Sequence, residues 1–550
     1  MKPKYRGKSP EEILSMMTLQ EKAGQVIVVG LETWEEFERA MHKGIGTISA
    51  VAHTEEEAEK FRENVARLQR EADIPFLVGV DMETGVGQIV HAKNLATEFA
   101  EQMALGAIAD PEDAKRLAYE EGRVIASEGS ALGWNVCYNP VVDVNINPEN
   151  PITNIRSVGE DPKQVAEITC ALIRGIQEGH RMVALAKHFP GAGMQGADSH
   201  FALEKTKATR EEMEKTHLYP FRKAIEAGVR GMMCNHAIYP MLDDKSVATL
   251  SRKIMNDLLR EEMGFDGVMY TDAMAMEGLK AQAETMHISE TVLAISAGCD
   301  LLLGPKEGWD APDVIVKAVQ DGDLPEERLN DSVLRVLKVK QWLGLFDEEN
   351  RKPLPRMDGW AVAREISRKS ITVLKDNDGL LPYDFADKKV LVIEPKHPAR
   401  DMQVGNYTNL TLIQESLARF VPQAELALFS PDINKEQEAE LVRRAKEADV
   451  VIVGTSFRSR SGQVGMLTRK QLDALYAVHE VNPNVIAVVS NPYVTAQLKF
   501  IGTVLCCYST SQVAVEAAVD VLIGKEKALG KQRVTIPEKL KNEVVILYHG

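Results

Sequence analysis

Met182-Val183-Ala184-Leu185-Ala186-Lys187-His188-Phe189-Pro190-Gly191-Ala192-Gly193-Met194-Gln195-Gly196-Ala197-Asp198-Ser199-His200 sets the reading of the whole chain. Its first five residues are apolar and read as a short buried strand, and the Pro-Gly and glycine-rich run after them read as a turn and a loop. The strand delivers Lys187 and His188 to the start of that loop, which closes on Asp198-Ser199-His200. A carboxylate two residues from an imidazole can hold one ring nitrogen, fixing the tautomer and leaving the other nitrogen free to trade a proton. The same triplet suits a helix N-cap, with Asp198 or Ser199 as the cap. The preceding strand and glycine loop favour chemistry, because barrel enzymes carry their active sites on loops that follow strands.

Working outward, seven further compact apolar runs occur at 25–30, 46–51, 75–81, 134–144, 228–236, 267–272 and 300–304. Helical patterns at 55–71, 96–128, 162–178, 210–227, 252–263 and 288–297 separate them. Ser9-Pro10-Glu11-Glu12 and Thr18-Leu19-Gln20-Glu21 carry capping-box signals and predict two short opening helices. Strands alternating with helices pair in parallel through crossovers, and eight such units close a (β/α)8 barrel. The expected fold class is therefore α/β, with an N-terminal TIM-like barrel over residues 1–348. Residues 349–358 are polar and proline-bearing and read as a linker. A second strand–helix alternation fills 359–550, with strands expected at 389–393, 424–429, 450–454, 485–490 and 503–508 and helices at 435–448 and 469–479. Five strands suit an open doubly wound (sandwich) sheet rather than a second barrel. Neither Gly-x-Gly-x-x-Gly nor a Walker loop follows any of them, and the loop at 454–462, with Arg458 and Arg460, reads as solvated surface.

Hydrophobic content of 44% and charged content of 27% are those of a soluble globular protein. A net charge of -16 with no basic stripe argues against nucleic acid as a partner. No apolar stretch reaches membrane-spanning length, and the basic start, Met1-Lys2-Pro3-Lys4, has no apolar segment behind it; the expectation is a cytoplasmic chain with no membrane partner. The six cysteines, Cys137, Cys170, Cys234, Cys299, Cys506 and Cys507, contain no Cys-x-x-Cys pair and read as reduced buried thiols. None of the twelve histidines forms a His-x-His pair, so no metal is expected.

Polar residues at the C-terminal ends of barrel strands are site candidates. These are Asp81, Glu83, Asn139, Asp143, Arg156, Lys187, His188, Asp198, His200, His236 and Asp272. A charge closing an apolar strand is costly to bury unless it is paired or used. Asp272 follows the apolar Phe265-Asp266-Gly267-Val268-Met269-Tyr270 run and precedes a flexible turn. Cleaving an acetal needs a carboxylate beneath the anomeric carbon and a proton donor above the leaving oxygen, roles that suit Asp272 and the Asp198–His200 pair.

These residues resemble glycoside hydrolase family 3, and within it the β-N-acetylglucosaminidase branch. Lys187-His188-Phe189-Pro190-Gly191, Asp198-Ser199-His200 and Thr271-Asp272-Ala273 stand in the branch's order, and Arg156-Ser157-Val158-Gly159-Glu160-Asp161-Pro162 is similar to the family's Arg-Ser-Phe-Gly-Glu-Asp-Pro. The 17–22 segment is similar to the family's opening, and 371–382 to the start of its second domain. The resemblance implies a retaining exo-glycosidase that releases terminal β-linked N-acetylglucosamine from small glycosides such as cell-wall fragments. It implies a small carbohydrate as partner and no cofactor. Asp272 would be the nucleophile, His200 the mobile acid and base, and Asp198 its partner; Asp81, Arg156, Lys187, His188 and His236 would bind the sugar. Two alternatives stand beside it: a β-glucosidase or other exo-glycosidase of the family with a different acid and base, and a catalytically silent sugar-binding homologue. The chain departs from the family's Lys-His-Phe-Pro-Gly-His-Gly-Asp-Thr at Ala192, Met194 and Gln195, and from its usual residues at Met82 and Thr84. Loss of polar groups there is expected to bear on which sugar is taken.

Overall fold

The computed structural model of the protein describes residues 5, 7–31, 33–92, 94–196, 204–275, 279, 288–347, 353–395, 412–455 and 466–540. It divides into two compact units, one of Met1–Thr97, Ala118–Val144 and Asp161–Gly359, the other of Glu98–Leu117, Asn145–Glu160 and Trp360–Gly550.

The first unit holds eight parallel strands: β1 (Ile27–Leu31), β2 (Thr47–Ala50), β3 (Leu77–Val80), β4 (Val136–Cys137), β5 (Val183–Phe189), β6 (Gly231–Cys234), β7 (Val268–Tyr270) and β8 (Leu302–Leu303). They hydrogen-bond in the order β8-β1-β2-β3-β4-β5-β6-β7, and a parallel bridge from Tyr270 to Leu301 joins the two ends into a barrel. Every residue of β3, β5, β6 and β7 is buried, as strands covered on both faces require. The apolar core joins Val28, Leu77, Val136, Val183, Met233 and Val268 to Val336 and Val339 of the helix Glu326–Trp342. Tyr138 and Tyr270 fill the barrel with ring centroids 5.8 Å apart. Gly79 must be glycine, since a Cβ there would stand 2.7 Å from the Tyr138 hydroxyl oxygen.

The opening helices Pro10–Met16 and Leu19–Gln25 both close their capping boxes reciprocally. The helical pattern at 96–128 is two helices, Gln102–Ala107 and Pro111–Leu132, because Pro111 has no amide hydrogen and disfavours helix in the residue before it. The pattern at 210–227 is interrupted by a wide i→i+5 turn at Met213–His217, which precedes Pro220 and its missing donor. A short antiparallel hairpin, Ile238–Tyr239 with Asp243–Val247, follows β6 and was not anticipated, its strands being too short and too polar to show a period.

The second unit is a six-stranded sheet of β9 (Thr372–Asp376), β10 (Val390–Pro395), β11 (Glu425–Phe429), β12 (Val450–Thr455), β13 (Val485–Val489) and β14 (Thr503–Cys506), ordered β9-β14-β13-β12-β10-β11. The five expected strands are parallel. The sixth, β9, runs antiparallel at the edge with a bulge between Val373 and Lys375; half-exposed, it lacks the continuous apolar run that marked the others.

The N-terminal end of the barrel is held by buried charge. Asp300, with no exposed surface, accepts from Arg260 (2.5 Å), Ser332 (2.7 Å), the Met269 amide (3.0 Å) and Arg335 (3.1 Å), with Arg328 at 3.5 Å. Burial alone would raise its carboxyl, but the three guanidinium groups hold it below the usual carboxylate value. Asp300→Ala strands those cations and is expected to cost about 3–5 kcal/mol, read from urea unfolding. Lys340, also fully buried, donates to Gln25 Oε1 (2.6 Å) and the Gly46 carbonyl (3.0 Å), and burial pushes its pKa down to about 7. The unfolded lysine keeps its proton to about pH 10.4, so between these values the unfolded state binds more protons and stability rises with pH. The unfolding midpoint of wild type relative to Lys340→Met is therefore expected to climb from pH 7 to pH 9.

Candidate active site

All eight strands run the same way, so their C-terminal ends meet at one end of the barrel. Lys187, near the end of β5, is 2% exposed and places Nζ 2.6 Å from both Asp81 Oδ1 and Glu83 Oε1. An ammonium so buried needs its charge answered, and two carboxylates answer it with one negative charge left over. The Asp81 side chain is 54% exposed and Glu83 only 12%, so Asp81 is the member of the cluster that a ligand can meet.

His188 turns toward the barrel wall. Its Nδ1 lies 2.7 Å from Asp143 Oδ2, and its amide donates to the same oxygen at 3.1 Å. A carboxylate oxygen accepts, so Nδ1 carries the hydrogen and Nε2 is the nitrogen left for other work. Asp143 Oδ1 accepts from the Ala192 amide at 2.6 Å, and Tyr239 donates to the Gly191 carbonyl at 2.8 Å. Gly191 has φ +128°, and a Cβ there would stand 2.8 Å from the His217 Cβ, so only glycine fits the turn. Burial lowers the His217 pKa to about 4, leaving a neutral ring packed behind the loop.

Asp272 follows β7, and its Oδ1 accepts from the Ala273 amide at 2.8 Å. The turn is tied to β8 by Thr271 N to Leu301 O, Leu303 N to Thr271 Oγ1 and Met274 N to Leu303 O, each 2.9 Å. His236, two residues beyond β6, is fully buried, with Nδ1 2.6 Å from Thr249 Oγ1 and Nε2 3.2 Å from the Ala273 carbonyl.

The first unit thus gathers Asp81, Lys187, His188, His236 and Asp272 at the strand ends. Arg156 belongs to the second unit, in the single turn Asn154–Arg156, where its guanidinium donates to the Ile152 carbonyl at 2.7 Å. Asp198 and His200 lie outside the described residues, as do Arg458 and Arg460. Of the positions that depart from the family, Met82, Ala192 and Gln195 are fully buried, and Gln195 Nε2 donates to Asn235 Oδ1 at 3.0 Å. Thr249 was not singled out, since a buried hydroxyl that serves other protein groups leaves no pattern in the sequence. Among the described residues no cluster of three or more His, Cys, Asp or Glu has the arrangement of a metal site, and no helix is long and apolar enough to cross a membrane.

Residues 18–339 match the Glycosyl hydrolase family 3 N terminal domain and 371–549 the Glycosyl hydrolase family 3 C-terminal domain. A beta-N-acetylglucosaminidase/beta-glucosidase from Cellulomonas fimi is 30% identical over 86% of this chain and 85% of its own length. A beta-hexosaminidase from Nitrosomonas eutropha is 33% identical over 48% of this chain and 74% of its own. Among solved structures, a glycoside hydrolase family 3 beta-N-acetylglucosaminidase from Paenibacillus sp. str. FPU-7 superposes with a TM-score of 0.83 at 28% identity, covering 96% of this chain and all of that one. With both halves matched and a relative shared over most of its length, the chain belongs to glycoside hydrolase family 3 and is a glycoside hydrolase.

Proposed function

We propose that the protein is a retaining exo-β-N-acetylglucosaminidase that works in the cytoplasm on small glycosides such as cell-wall fragments. The observation that carries the reading is Asp272, a carboxylate set at the C-terminal end of a barrel strand with one oxygen fixed by the next amide. In the first step Asp272 attacks the anomeric carbon and the glycosidic bond breaks, while His200 gives its proton to the departing oxygen. In the second, His200 takes a proton from water, whose oxygen displaces Asp272 and frees the sugar with net retention. The roles of His200 and of Asp198 as its partner rest on the Asp198-Ser199-His200 sequence. Asp81 and His188 are assigned to the sugar hydroxyls, with Asp81 accepting and His188 offering Nε2, and Lys187 is assigned to holding Asp81 in place.

The choice of sugar follows the names of the relatives, several of them hexosaminidases. A β-glucosidase reading is kept because the Cellulomonas fimi relative carries both activities in its name. Initial rates on matched aryl β-N-acetylglucosaminide and aryl β-glucoside substrates decide between them, and preference for the acetamido sugar is expected. Asp272→Ala should lower kcat by ~10⁴-fold or more with the fold intact, and azide should then restore turnover of an activated aryl glycoside as the α-glycosyl azide. Normal hydrolysis by that variant would remove Asp272 from the mechanism. Asp143→Asn keeps the side chain's shape but sets an amide N–H against a backbone N–H, that of Ala192 or that of His188, and on the His188 side it also faces Nδ1 and favours the wrong tautomer. A ~10²-fold loss of kcat/KM without a loss of thermal stability to match is expected.

A further inference from the structure

We propose that His236 is a positioning residue that orients the nucleophile turn, and that it does not bind the sugar; this rests on the reading of Asp272 as nucleophile. The imidazole has no exposed surface, and protein groups engage both its ring nitrogens. The Ala273 carbonyl can only accept, so the hydrogen belongs on Nε2, and in the neutral ring Nδ1 accepts the Thr249 hydroxyl. Thr249 is itself buried; with its hydrogen given to Nδ1, its Oγ1 accepts from the Cys234 thiol 3.1 Å away, so the relay is anchored at the end of β6. Ala273 is thereby held through both its polar atoms. His236 grips its carbonyl while its amide grips Asp272 Oδ1. The bonds to Leu301 and Leu303 secure residues 271 and 274 from the β8 side. Among the described contacts, the one at 273 comes from β6, the strand on the other side of β7. Without it the 273–274 peptide is held, among the described contacts, only through the Met274 amide on the β8 side, and Ala273 Cα, which joins that peptide to the amide that aims the carboxylate, gains room to shift.

The test is steady-state kinetics on an aryl β-N-acetylglucosaminide. His236→Ala is expected to lower kcat ~10²-fold, the scale of a displacement near 1 Å at a reacting group, with KM within about threefold of wild type. In His236→Gln the side-chain amide nitrogen reaches the place of Nε2 and should recover about tenfold of that loss; the shorter His236→Asn should not. Thr249→Val removes only the Nδ1 partner, and its roughly tenfold loss should largely vanish in a His236→Ala background, since both act on one carbonyl. Should His236→Ala fail to fold, the Gln and Val variants carry the comparison alone. A tenfold rise in KM at constant kcat makes His236 a sugar ligand and overturns the proposal, and so does a Gln variant no better than Asn. Turnover by Asp272→Ala at the wild-type rate defeats the nucleophile reading instead. If that variant is inactive and rescued by azide while His236→Ala keeps full kcat, only the positioning role falls.

Discussion

The Asp143 carboxylate has no water to turn to. It is fully buried, and its oxygens are satisfied by the His188 ring, the His188 amide and the Ala192 amide. A buried anion left with unmet valence costs several kcal/mol, so these donors cannot drift without the fold losing stability. The constraint fixes which His188 nitrogen carries the hydrogen, and it fixes the start of the loop that leads on toward Asp198 and His200. Tyr239 and the neutral His217 close the same turn from behind. An apolar residue at 143 would leave strand β5 intact and its end unanchored.

The two ends of the barrel spend buried charge differently. At the N-terminal end Asp300 meets three arginines and Lys340 meets only neutral oxygens; neither has exposed surface, and their contribution is to stability. At the C-terminal end Lys187 is equally buried, yet its partner Asp81 is half open to solvent. A closed pair contributes to the fold alone, while a pair with one exposed carboxylate oxygen keeps hydrogen-bonding capacity for a ligand. The lone negative charge of the Asp81–Lys187–Glu83 group also favours a partner that donates hydrogen bonds, as sugar hydroxyls do.

The sequence showed the barrel clearly because parallel strands covered on both faces are short continuous apolar runs, and each of the eight runs overlaps a strand. It showed β9 poorly for the opposite reason, since a half-exposed edge strand has no such run. Helix ends were legible where a chemical signal marked them, as at Ser9 and Glu12, which form the capping box of Pro10–Met16. They were missed where a proline inside an apolar pattern split one helix into two, as at Pro111. At the site, ionisable residues that close strands stood out, and the structure sets Lys187, His188, Asp81 and Asp272 at or just beyond the strand ends. The pairing of Lys187 with Glu83, and of His188 with Asp143, joins residues 104 and 45 positions apart and could be seen only once the strands were in register.

The burial of His236 changes how discrimination between sugars has to be argued. Hydroxyls at C3, C4 and C6 are common to a glucoside and an N-acetylglucosaminide, so groups that read them stabilise both transition states alike. Selection for the acetamido sugar needs a contact that differs at C2, either a partner for the amide or a wall that penalises its absence. His236, spent on Thr249 and Ala273, supplies neither, and Met82 and Ala192 are buried in packing. The exchanges at 82 and 192 therefore act on how the loops seat rather than by direct contact. In the proposed reaction the fixed parts, Asp272 and the Lys187 group, serve cleavage of either β-glycoside, and C2 selectivity is a separate property of the loops around them.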